Sequence, residues 1–179
     1  MQPQPILHFW FTELSPKDHY AKDAALDEAI RTRFGATLEA AGRCELFAWR
    51  ATPEGRLAEV LVLDQFSRNV YRDTARAFAQ DALALALAQE LVASGHDRSL
   101  PLAQRSFAYM PYMHSESALV HTQAVTLFAQ PGMEDTLCFE LRHKDIIDRF
   151  GRYPHRNVLL GRTSTAEELA FLSEPGSAF

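Results

Sequence analysis

An all-α fold, built as a compact array of antiparallel helix pairs, is what this chain of 179 residues predicts. Three observations carry it. Ala, Leu, Glu, Gln and Arg dominate the long segments, and their side chains lose little freedom in a helix. Apolar residues recur at a spacing of three and four. The joints are short and hold Gly, Pro or capping residues, as expected between antiparallel helices. Together they predict six to eight helices, no convincing strand and a single domain over residues 1–179.

Each element follows in order. "HFWF", His8 to Phe11, and Trp49 supply bulky core pieces. "KDAALDEAIRTRFGATLEAAG", Lys22 to Gly42, places Leu26, Ile30, Phe34, Leu38 and Ala41 on one stripe. "GRLAEVLVLDQFSRN" follows the turn "TPEG" and reads as a helix into about Phe66. "TARAFAQDALALALAQELVASG", Thr74 to Gly95, alternates like a strand at its centre. Its Ala and Leu content and its Gly stop predict a helix instead. "LPLAQRSFAYM" is a short helix that Pro111 is expected to end or kink. "ESALVHTQAVTLFAQPG" stops at its "PG" turn, and "EDTLCFELRHKDIIDRFG" stops at Gly151. "TSTAEELAFLS" opens with a capping box, read as Ser164 at the N-cap with Glu167 at N3. The tail "EPGSAF" is expected to be loose.

The totals bound the function. A hydrophobic fraction of 47% with 23% charged residues is ordinary for a globular domain. A net charge of −5 argues against a general nucleic-acid binder, which needs a basic face. No apolar run reaches the roughly 18 residues of a membrane helix, and the start has no basic n-region of a signal peptide. A cytoplasmic location is therefore the expectation. Cys44 and Cys138 have neither metal-ligand nor redox spacing and are expected as buried free thiols. No Walker loop, dinucleotide fingerprint or zinc-ligand pattern occurs, so neither cofactor nor metal is expected.

Charge is uneven. Residues 142–162 hold six Lys/Arg against two Asp/Glu, a local +4 that leaves −9 for the remainder. This stretch contains "RFGRYPHRN", Arg149 to Asn157. Gly151 suits a helix end, and Pro154 fixes its own φ and holds Tyr153 extended. Arg149, Arg152, His155, Arg156 and Asn157 are thus presented on stiff backbone. They suit carboxylate or phosphate recognition, or they cap helix ends. In the preceding helix His143 shares a face with Phe139, Ile146, Ile147 and Phe150. It is either a core histidine or a ligand contact. Asp145 and Arg149 have ion-pair spacing.

Two further polar knots interrupt apolar sequence. "DQFSRN" offers Arg68, four residues after Asp64, and Asn69 as a natural C-cap. "YMPYMHSES" offers His114 and Glu116, which are too close in sequence to form a one-helix metal pair. No Gly-x-Ser-x-Gly elbow supports a catalytic serine.

"FWF", "LVLDQFSRNVYRDTARAFAQDALALA", "LPLAQRSFAYMPYMHSES" and "IIDRFGRYPHRNVLLGRTSTAEELAFL" together resemble the uncharacterised bacterial family catalogued as domain of unknown function 924. The resemblance spans nearly the whole chain. It implies an all-helical, tetratricopeptide-like α-α superhelix and no established activity, although the Trp, Gly and Tyr landmarks of tetratricopeptide repeats are absent. The usual "DQFPRN" stands here as "DQFSRN", so Ser67 is expected to relax a turn.

The leading expectation is a pocket for a small anionic ligand, lined by Arg149, Arg152, His155 and Arg156 with Arg68, Asn69, His114 and Glu116. His114 or His155 would be the general base in any chemistry. The alternative is an interaction scaffold that holds a peptide partner on a concave helical surface. The first requires the three knots to converge; the second scatters them or spends them on internal salt bridges.

Overall fold

The computed structural model describes residues 1–177. They form eight helical rods, with no strand among the described residues. α1 is Gln4–His8, continued by a π-helical turn, Phe9–Glu13. α2 is Ala24–Gly42. α3 runs unbroken through Pro53–Leu61, the π-helical turn Val62–Phe66 and Ser67–Val70. α4 is Asp81–Ala93, α5 Leu102–Met113, α6 Ala118–Phe128, α7 Glu134–Phe150 and α8 Ala166–Leu172. No helix of the described residues is long and apolar enough to cross a membrane.

Local chemistry sets most boundaries. Asp23 accepts from the amides of Ala25 and Leu26 and so starts α2. Thr52 accepts from Gly55 N, and Pro53 occupies the first position of α3. Gly151, at φ 68°, ends α7 in the left-handed conformation that other residues resist.

α3 is buried on nearly every side, because it lies at the centre. Leu57, Leu61, Leu63 and Phe66 are fully buried. α4 and α5 pack on it, and α5, α6 and α7 then pack in succession. Phe34 of α2 stacks on Phe66 at 5.3 Å, and Trp10 meets Phe107 edge-on at 5.6 Å. A second, small core joins Ile146, Ile147 and Tyr153 to Phe150 and Phe171.

Several expectations need correction. The segment from Thr74 to Gly95 is not one helix. A 3-10 turn, Ala75–Phe78, precedes α4 and sets Asp81 at its first position, where a carboxylate suits the helix N-terminus. Pro111 does not end α5, which continues to Met113. Every residue from Phe107 to Met113 is buried, at about 1.5–3 kcal/mol for each large side chain, which outweighs the roughly 3 kcal/mol cost of an interior proline. The capping box lies one residue later, at Thr165 and Glu168, because Glu168 turns inward and Glu167 faces out. Ser67, at φ −58°, sits inside the α3 rod and not in a turn. Both cysteines are free but exposed; Cys44 occupies the turn after α2 with φ 59°. The tail is anchored as far as Ser177, whose hydroxyl donates to Leu172 O. Ala178 and Phe179 lie outside the described residues.

Candidate functional site

The π-helical turn of α3 and the C-terminus of α5 meet at one polar cluster. π turns add a residue to the helical register and frequently coincide with functional sites. Here the turn carries Asp64, whose carboxylate is almost wholly buried. It accepts from His114 Nδ1 at 2.7 Å and Gln65 Nε2 at 2.6 Å, and Arg68 Nη1 lies 3.0 Å away. Arg68 also donates to Asp64 O at 2.9 Å and forks onto Asp81 at 2.9 and 3.0 Å. Arg156 reaches the same Asp81 carboxylate at 3.1 Å and donates to His114 O at 3.1 Å. Its guanidinium lies 4.6 Å from the ring centroids of both Phe78 and Tyr153.

The C-terminus of α5 would leave backbone carbonyls without partners. Three consecutive ones are taken up by side chains from elsewhere. Tyr153 OH donates to Met113 O at 2.5 Å, Arg156 to His114 O, and His121 Nε2 lies 2.8 Å from Ser115 O. The backbone that carries His114 is therefore held by three separate groups.

Electrostatics sets the protonation. Burial would push the Asp64 carboxyl up, but Arg68 and His114 more than offset it and hold it well below the usual carboxylate range. An ionised carboxylate only accepts, so His114 Nδ1 carries the proton. Burial, and then Arg68, lowers the proton affinity of His114 despite Asp64. His155 is lowered to about 4 by burial and then Arg156, and Arg156 itself is lowered by burial and then Arg68. The imidazole of His114 is thus neutral near pH 7. Its Nε2 makes no hydrogen bond to a described residue and is not sealed, since the side chain stays 16% exposed.

A second cluster pins the turn after α7. Glu116 accepts from Tyr153 N and takes a fork from Arg162 at 2.6 and 2.9 Å. Asn157 accepts from Arg162 Nε and donates to Ser164 and Glu168. Arg152 forks onto Glu168 at 2.6 and 2.7 Å and donates to Thr163 O. The Arg152 hydrogen bonds, ahead of those from Thr165 and Asn157, hold Glu168 down to about 2.

The model of a family described as bacterial protein of unknown function (DUF924) matches residues 6–176 of this chain. The chain belongs to the DUF924 family. A solved structure of a protein of unknown function from Agrobacterium tumefaciens is similar to this DUF924 chain. It is 38% identical over 96% of both chains, with a TM-score of 0.91. No curated protein matches the chain significantly.

In this DUF924 protein, Arg68, His114 and Arg156 meet at the first cluster. Glu116, Arg152 and Asn157 belong to the second. Arg149 pairs with Glu167 on the surface and not with Asp145. Asn69 is no C-cap; its amide donates to Asp27 of α2, which Arg72 also grips. His143 Nδ1 lies 2.8 Å from Phe139 O, with its proton affinity lowered to about 3 by burial, and its ring meets Tyr153 edge-on. His155 lies tilted on Tyr153 at 5.5 Å.

Sequence reasoning missed Asp81, Arg162, Glu168 and a buried pair in which His121 Nδ1 and Glu140 Oε1 of α7 lie 2.7 Å apart. The only advance signal for that pair was one titratable residue in each of two largely apolar stretches, "ALVHTQAV" and "LCFEL". Among the described residues no three His, Cys, Asp or Glu side chains gather as metal ligands would. Two clefts lie away from both clusters. One, of 390 Å³, is lined by Met1, Pro3, Leu46 and Trp49; the other, of 280 Å³, is lined by Arg43, Tyr71, Arg76 and Gln80.

Proposed function

We propose that this protein binds a small anionic ligand, a carboxylate or a phosphate, where α3, α4, α5 and the turn at Tyr153–Asn157 meet. Arg68, His114 and Arg156 are its contacts. One observation carries the reading: two guanidiniums are clamped side by side on Asp81 with N–H donors left over, and Arg156 Nε is buried without an acceptor. The depressed proton affinities of His114, His155 and Arg156 also support it, because an incoming anion would relieve the arginine field that contributes to all three. In any chemistry His114, backed by Asp64, is the general base. Free, exposed thiols suit the reducing cytoplasm as the protein's location.

A scaffold reading with a tetratricopeptide-like shape draws on different residues. Arg149, Arg152 and Arg162 are each committed to an internal carboxylate, and Leu119, Leu141, Val158 and Leu169 stand exposed. Such a surface suits a peptide partner.

The test is a thermal-shift series with inorganic phosphate, citrate, malate and glycerol 3-phosphate. A ligand at 100 times its Kd adds about 2.7 kcal/mol of stability, so the melting temperature rises by several degrees. Arg156→Lys keeps the charge and loses the fork, and it is expected to abolish the rise. A chain that no probe stabilises, or an equal rise in the variant, refutes the anion site.

A further inference from the structure

His114 Nε2 is an open hydrogen-bond acceptor that no described residue satisfies. Asp64 holds the Nδ1 proton at 2.7 Å, so the ring cannot use Nε2 as a donor without becoming charged. The ring has little freedom to turn away. Its backbone carbonyl is fixed by Arg156, and the carbonyls on either side are fixed by Tyr153 and His121. Two guanidiniums that only donate flank the same residue: Arg68 shares Asp64 with the ring, and Arg156, 7% exposed with an unpartnered Nε, donates to the His114 carbonyl. The site therefore presents donors for an anion and, separately, one acceptor that an ionised carboxylate cannot satisfy. A plain carboxylate has no O–H to donate to Nε2, whereas a ligand hydroxyl has.

We propose that the natural ligand carries a hydroxyl group next to its anionic group, as a hydroxy acid or a phosphorylated polyol does, with the hydroxyl donating to His114 Nε2 and the anion held by Arg68 and Arg156. This rests on the anion-site reading and narrows it to one class of ligand. A site that hydrogen-bonds a hydroxyl favours the ligand that carries it over the analogue that lacks it.

The experiment uses matched pairs that differ by hydroxyl groups alone: lactate and propionate, malate and succinate, glycerol 3-phosphate and propyl phosphate. Their Kd values are measured by NMR titration of the full chain. The hydroxylated member of at least one pair is expected to bind about tenfold more tightly. His114→Asn keeps a donor toward Asp64 and removes Nε2, so it is expected to weaken the hydroxylated member more than its partner and to erase that preference. The ¹⁵N resonance of Nε2 in the unaltered protein reads the same contact without any variant: it shifts with the hydroxylated probe and not with its partner. Equal binding of both members of every pair, or a preference that survives in His114→Asn, overturns the hydroxyl inference and leaves the anion site standing. Failure of all six probes to bind overturns both.

Discussion

Individual residues hold this molecule's most specific commitments. Gly55 lies in the first turn of α3, where a Cβ would fall 2.0 Å from Trp49 O and 2.8 Å from Trp49 C. Those are backbone atoms of a short turn and cannot swing aside as a side-chain end can. Gly55→Ala is therefore expected to cost more than about 3 kcal/mol, the large end for a single substitution, and urea denaturation at constant m value measures it. The sequence showed this glycine only as part of the turn "TPEG". The residue scale also explains why His114 was easy to nominate and hard to interpret. Its polarity stood out in "YMPYMHSES", whereas its partner Asp64 lies 50 positions earlier in the chain and is set by the added residue of a π turn. Nothing in local spacing encodes that pairing.

Pairs of elements are joined by buried polar contacts as well as by apolar packing. α6 and α7 share His121 and Glu140, both fully buried, and the second oxygen of Glu140 has no partner. Burial raises the Glu140 carboxyl above its ordinary 4.5, against the pull of His121 and Lys144. A raised carboxyl means that the folded chain holds this proton more tightly than the unfolded one. Its contribution is fully present below pH 4.5 and is lost as pH rises through the raised value. The α6–α7 contact is thus expected to weaken with rising pH over that window, and Glu140→Gln to flatten the dependence. Denaturation midpoints of both proteins across pH 4–8 check it; equal slopes would refute it. At this scale the legible features were the apolar stripe of α2 and the glycine stop of α7. The break before α4 was not legible, because Ala- and Leu-rich sequence favours helix on either side of it, and the ion pairs of Asp81 with Arg68 and Arg156 form across the fold.

Over the whole molecule, uneven charge resolves into pairing. Of the basic groups in residues 142–162, Arg149, Arg152, Arg156 and Arg162 find Glu167, Glu168, Asp81 and Glu116, all outside that stretch. Stability is uneven too. The large core centres on α3, whereas α8 is held to the small core through Phe171 and by capping and ion pairs. Local opening free energies follow buried apolar contact, so hydrogen exchange is expected to be slowest at residues 57–66 and fastest among the helices at 166–172. Mass-spectrometric exchange that found the C-terminal helix as protected as α3 would contradict this division.

Composition and periodicity alone determined the helical class, the absence of strands among the described residues and most helix positions, because helix formation answers to neighbours three and four residues away. The same short range explains the one-residue error in the last capping box, and why a helix expected to end or kink at Pro111 runs on to Met113, where burial outweighed local preference. Only the tertiary structure decided which polar groups meet. Arg68, His114 and Arg156 share a cluster while Asn69 and Arg149 leave for other partners, since a buried charge takes its position from whichever opposite charge the packed helices bring within reach.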